Sequence, residues 1–252
     1  MLKYYGADTE FSLAGKVAIV TGGAAGIGNA TATFFAKKGV KVLIADMSEK
    51  TEEAAAALGA DCIGVRGNLL DEACRKAVLA TAVERFGGMD ILVNCAGIVA
   101  LDNTETLSEE MWDRTMAVNL KASFMMAQAV GKYLIDAGKP GSIVNMASQA
   151  GVIALDKHVA YCASKGAIIA MTKVMAYEWG KYGIRVNAVS PTVVLTELGK
   201  KAWAGEGFKK KMPSERFAET DEIAGSIAFL CSGAAGMITG HNLVIDGGYT
   251  IQ

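Results

Sequence analysis

Tyr161 and Lys165 place a phenol and an ammonium four residues apart. On a helix, residues i and i+4 share a face. A lysine there favours the phenolate and draws the phenol below its ordinary value of about 10. Such a phenol can act as a general base near neutral pH. Ser148 lies thirteen residues earlier, just past an apolar run, where its hydroxyl can hold a reacting oxygen. A second group of residues suits a different task. From Val17 to Gly28 an apolar run meets a glycine-rich turn and then a helix start. Gly22, Gly26, Ile27 and Gly28 would let backbone N–H groups approach a pyrophosphate, with the helix N-terminus adding partial positive charge. Asp46 ends the next apolar run, about 20 residues after the turn, where a carboxylate hydrogen-bonds ribose hydroxyls and repels a 2′-phosphate. No arginine adjoins it in the chain, so the residues favour NAD over NADP. Taken alone, each feature has an ordinary alternative. Tyr-x-x-x-Lys occurs in many helices, Ser148 suits a turn or cap, a glycine turn can be merely tight, and Asp46 can cap a helix opening at Ser48.

These residues need elements to hold them, and the chain supplies two alternating textures. Short β-branched runs recur at 17–21, 40–45, 91–94, 142–145, 184–189 and 243–245, with a weaker one at 62–65. Helical segments at 27–38, 48–58, 71–86, 111–137 and 161–182 lie between them. Strands alternating with helices predict βαβ units and a parallel sheet. Strand runs apolar without alternation predict a sheet covered on both faces. The reading is an α/β, doubly wound parallel sheet in a single domain over 15–252, preceded by a short arm over 1–14. The irregular stretch after Pro191 holds glycines and lysines and reads as a substrate lid near 192–215. Segments 124–134 and 166–179 are apolar on nearly every side. Helices of that kind are buried on both sides, either inside a monomer or, as preferred here, at a subunit interface.

Composition excludes several alternatives. With 25 Lys plus Arg against 26 Asp plus Glu, a net charge of -1 gives no reason to expect nucleic acid or an anionic membrane as partner. No stretch approaches 18 unbroken apolar residues, so no membrane span is expected. Five cysteines with no C-x-x-C suggest a reducing, cytoplasmic setting rather than a disulfide framework or zinc site. Two distant histidines suggest no metal. The 29 glycines exceed the roughly 18 that average usage predicts, so backbone must approach something closely in several places.

Taken in order, these motifs resemble those of the short-chain dehydrogenase/reductase family. The resemblance runs from Gly15 to Tyr249 through Thr21 to Gly28, Asn94-Cys95-Ala96-Gly97, Asn119, Ser148, Tyr161 with Lys165, Pro191 to Thr196, and Asp246-Gly247-Gly248. It implies a Rossmann fold and a catalytic set of Asn119, Ser148, Tyr161 and Lys165. Tyr161 would exchange the proton, Lys165 would lower its pKa and bind the nicotinamide ribose, and Ser148 would hold the reacting oxygen. Asn119 would hold a water linking Lys165 to solvent. Asn68 and Leu69 would meet the adenine, with Asn68 standing where the family often has Asp. Asn94, Ala96 and Gly97 would line the adenosine ribose. Pro191, Thr192, Val194 and Thr196 would border the nicotinamide, with Thr192 replacing a usual glycine.

The substrate end is similar to the pocket pattern of L-xylulose reductases and related polyol dehydrogenases, on Ser148, Gln149, His158, Tyr161 and Trp203. That resemblance implies a small polyol or its ketose as substrate, of the threitol, galactitol, xylitol or glycerol class. Gln149 and His158 would pair with its hydroxyls, although Gln149 can also face solvent and His158 can be a loop residue. The alternatives are a 3-oxoacyl-thioester reductase on the same scaffold, against which Asp46 argues, and a dinucleotide sensor, which has little need of the four catalytic residues together. The family resemblance implies a homotetramer built on the two apolar helices.

Overall fold

Seven short apolar segments build one sheet. The computed structural model describes residues 10–197, 199, 209 and 211–251. Its strands are β1 Val17–Thr21, β2 Lys41–Asp46, β3 Cys62–Arg66, β4 Ile91–Asn94, β5 Gly141–Met146, β6 Ile184–Pro191 and β7 Asn242–Ile245. All pair in parallel in the order β3-β2-β1-β4-β5-β6-β7. The helices are α1 Gly26–Lys37, α2 Thr51–Ala56, α3 Glu72–Phe86, α4 Glu109–Met116, α5 Ala122–Asp136, α6 Val159–Trp179 and α7 Thr220–Cys231.

The lack of alternation in the strands follows from their two buried faces. Ala18 and Val20 of β1 join a core with Phe35 of α1 and Ile223 and Ile227 of α7. Val17 and Ile19 of the same strand join a second core with Val78 of α3, Met126 and Val130 of α5 and Met175 of α6. The chain runs outward from β1 to β3 and then returns to β4 on the other side of β1. That reversal opens a crevice at the C-terminal strand ends, where doubly wound sheets bind ligands.

Three elements depart from the sequence expectation. The expected helix over 111–137 is α4 and α5 joined by a π-helical turn, Ala117–Lys121, with Asn119 inside it. The helix expected from Ser48 starts at Thr51. The helix at Thr220–Cys231 had no bounds assigned from sequence, and its start uses a reciprocal cap from Glu219 and Glu222 rather than the usual Ser, Thr, Asp or Asn. By length and composition the stretch Val159–Tyr182 could cross a membrane, but α6 within it packs on the sheet and contributes Ile168 and Met175 to the core. Residues 1–9 of the arm, and 198, 200–208 and 210 of the segment read as a lid, lie outside the described residues.

Candidate active site

A cleft of about 460 Å³ opens over the ends of β1, β2 and β4, a size typical of small-molecule sites. Its floor is the glycine turn. Gly22 and Gly26 have φ of +63° and +56°, a region that L side chains rarely adopt. A Cβ on Gly22 would lie 2.8 Å from the Ala96 backbone, and one on Gly28 only 2.1 Å from the Gly22 carbonyl. Ala25 occupies the cap position of α1 and gives it no side-chain hydrogen bond, so no side chain competes there with an anionic ligand for the first N–H groups. A cradle that only glycine can form, at a helix N-terminus, fits a pyrophosphate. Gly22, Gly26, Ile27, Gly28, Asp46, Asn68, Leu69, Ala96, Gly97 and Thr196 all line the cleft.

Asp46 stands at the cleft edge. Its Oδ2 accepts from the Ala24 N–H at 3.1 Å and its Oδ1 from the Ser48 N–H at 3.0 Å. It therefore fixes the glycine turn rather than capping a helix, because Lys50 takes the cap position of α2. No arginine adjoins Asp46 along the chain, but one does in space. Register places Arg66 of β3 opposite Asp46, where its guanidinium donates to the Met47 carbonyl at 3.4 Å and to Glu49 at 3.2 Å. Asn68 Oδ1 already accepts from the Leu70 N–H at 3.0 Å.

Asn94 does not line the cleft. It is buried beneath it, where its Nδ2 donates to the Ser123 carbonyl and to Asn145 Oδ1. The strand end turns this side chain inward and leaves Cys95, Ala96 and Gly97 to form the wall. Pro191, Thr192 and Val194 are buried and are not part of the cleft lining. Thr192 donates its N–H to the Ile245 carbonyl and its hydroxyl to the Met212 sulfur, and Val194 bridges to Ala218.

α6 carries the reactive pair. The Lys165 ammonium lies 5.6 Å from the Tyr161 ring centroid and donates to the Met146 carbonyl at 2.7 Å. Met146 lines the cleft, so its wall touches Lys165, while Ser148, Tyr161 and Lys165 are not themselves part of the lining. Burial pushes the Tyr161 phenol above its ordinary range, and a hydrogen bond with Ser148 partly offsets this. Burial also pushes the Lys165 ammonium down to about 8. The expected lowering of Tyr161 is thus reversed in the chain by itself, because desolvation outweighs the hydrogen bond with Ser148. Ser148 caps the turn Gln149–Gly151 by accepting from the Ala150 N–H at 3.2 Å. Gly151 is where that turn meets α6, since a Cβ there would lie 2.7 Å from the Lys165 backbone.

The Asn119 amide is fully engaged. Its Oδ1 accepts from the Ile98 N–H at 2.8 Å, and its Nδ2 donates to the Ile98 carbonyl and to Ser164 Oγ, both at 3.0 Å. The amide has no donor to spare for a water, and the Asn119 backbone carbonyl accepts Ser123 Oγ at 2.9 Å.

Gln149 is 2% exposed, and its Oε1 has no hydrogen-bond partner. An acceptor buried in that state is costly. His158 is buried, with its ring edge-on to Tyr161 at 6.0 Å between centroids and its Nδ1 against the Asp156 carbonyl. Trp203 lies outside the described residues. Sequence reasoning missed Asn145, Ser123 and Ser164, which hold the site from below. The one available signal was polarity inside apolar segments.

The family model described as enoyl-(acyl carrier protein) reductase matches residues 22–250. An NAD-dependent glycerol dehydrogenase of Listeria innocua is 50% identical over 255 residues, covering 100% of both chains. A D-threitol dehydrogenase of Mycolicibacterium smegmatis is 53% identical over 252 residues, covering 97% of this chain and 96% of its own. Among solved structures, a short-chain type dehydrogenase/reductase from Mycobacterium marinum superposes with TM-score 0.91 at 33% identity, covering 96% and 98%. A 3-ketoacyl-(acyl-carrier-protein) reductase from Brucella melitensis complexed with NADH also gives 0.91 at 33%, covering 95% and 100%.

Proposed function

The chain belongs to the short-chain dehydrogenase/reductase family, and from that premise we propose that it oxidises a secondary hydroxyl of a small polyol to a ketone with NAD. The observation that carries this reading is the whole-length identity of 50% and 53% to a glycerol and a threitol dehydrogenase. NAD, when bound, supplies the hydride acceptor at C4 of its nicotinamide. Gly22, Gly26 and Gly28 would hold its pyrophosphate and Asp46 its adenosine ribose hydroxyls.

The chain's own residues supply the proton chemistry. Ser148 holds the substrate oxygen beside Tyr161. Tyr161 takes the hydroxyl proton as the C–H bond gives up its hydride, and returns a proton when the reaction runs toward the alcohol. The Lys165 ammonium, with the positive charge of an oxidised nicotinamide, favours the phenolate against the burial that opposes it. The unpartnered Gln149 Oε1 accepts from a further substrate hydroxyl. Such a site disfavours substrates lacking that hydroxyl, because the acceptor is then left unpaired. Initial rates with a polyol panel and both dinucleotides test the reading. NAD-linked turnover of at least one polyol supports it, and turnover confined to 3-oxoacyl thioesters with NADPH overturns it.

Assembly and setting extend the proposal. Met116, Leu120 and Phe124 face Met171 and Val174 of α6 across an open apolar groove of about 1170 Å³. Val174 is 56% exposed there. This groove is read as the seat of a homotetramer. The five free cysteines accord with a reducing cytoplasm.

A further inference from the structure

We infer that Ser164 is a positioning residue for the oxidation, tying the cleft wall to the helix that carries the base. The inference rests on Tyr161 being that base. Ser164 is fully buried. Its Oγ donates to the Tyr161 carbonyl at 2.8 Å and accepts from Asn119 Nδ2 at 3.0 Å. The same Asn119 amide clamps Ile98 at both its N–H and its carbonyl. Ile98 follows Gly97 in the cleft wall. A Cβ on Gly97 would lie 3.3 Å from Asn119 Oδ1 and 3.7 Å from Lys165 Nζ, so the wall, the amide and the ammonium converge on one point. The amide reaches α6 through Ser164.

The chain of buried polar groups continues below. Ser123 Oγ donates to the Asn119 carbonyl, Asn94 Nδ2 to the Ser123 carbonyl and to Asn145 Oδ1, and Asn145 Nδ2 to Thr172 Oγ1. Thr172 lies on α6 eight residues beyond Ser164, about two turns along. α6 is thus held to the central strands at one point and to the cleft wall at another. The second hold, through Ser164, lies in the turns that carry Tyr161 and Lys165. Removing it leaves Tyr161 on a helix start no longer indexed to the wall. Proton transfer is sensitive to such misplacement, whereas the cleft surface that grips a dinucleotide does not include Ser164.

The test is steady-state kinetics of Ser164→Ala with NAD and the best polyol, beside NADH titration by fluorescence and thermal unfolding. We expect kcat to fall about ten- to hundredfold, with NADH affinity and the KM for NAD unchanged. Ser164→Cys, close in volume and a weaker hydrogen-bonding group, should fall between the two. It also supplies the answer if the alanine variant does not fold. Wild-type kcat in a folded variant, even with a lowered Tm, would show a packing role only and overturn the inference. Tyr161→Phe is run alongside. If it is inactive while Ser164→Ala is normal, only the positioning role falls. If it retains turnover, the base assignment falls and the inference with it.

Discussion

Burial holds the Tyr161 phenol above its ordinary range, so a catalytic phenolate needs positive charge beside it. The base works only when deprotonated. Oxidation rates should therefore rise with pH from neutrality until the apparent pKa of the complex is passed. Lys165→Met should displace that rise to higher pH. A flat or falling kcat/KM profile for oxidation contradicts the assignment. Tyr161→Phe should lower kcat by about 10²–10⁴ with NADH binding retained in a fluorescence titration. Asp46→Ser should raise the NADP-to-NAD ratio of kcat/KM by roughly tenfold or more, since juxtaposed like charges cost several kcal/mol. An unchanged ratio would remove Asp46 from cofactor selection. Tyr161, Lys165, Ser148 and Asp46 were legible in the chain because their chemistry is local in sequence or anchored to a strand end. The partners of Asn119 were not, because Ile98 and Ser164 lie 21 and 45 residues away. The inward turn of Asn94 was hidden for the same reason, since a side chain's direction at a strand end depends on the neighbouring strand and helix.

At the scale of elements, the strand runs were readable because a doubly covered sheet needs β-branched residues on both faces. Two helix features were not. The π turn at Ala117–Lys121 continues the apolar helical pattern on either side of it and leaves no mark in periodicity. The start of α7 depends on paired glutamates, Glu219 and Glu222, instead of a short polar cap. The glycine turn was legible as a motif, but its tightness was not. With only 2.1 Å between a Cβ placed on Gly28 and the Gly22 carbonyl, Gly28→Ala must shift the turn. NADH affinity should drop roughly tenfold or more, through loss of aligned backbone donors. Wild-type affinity in a folded Gly28→Ala protein would contradict the cradle.

For the whole molecule, the near-neutral charge and single sheet accord with an enzyme for uncharged substrates, and the apolar groove across α5 and α6 accords with self-association. Val174→Glu places a charge in that groove and should convert the proposed tetramer to a smaller sedimenting species with the fold intact by circular dichroism. A sedimentation coefficient unchanged from wild type would remove this groove as the interface. The central claim, NAD-linked oxidation of a polyol with Tyr161 as the base, is tested most directly by one measurement. Initial rates are followed by nicotinamide absorbance with glycerol, threitol, xylitol and galactitol, each with NAD and NADP side by side. The prediction is reduction of NAD by at least one polyol, strongly preferred over reduction of NADP. Binding of NADH without turnover of any polyol would contradict it.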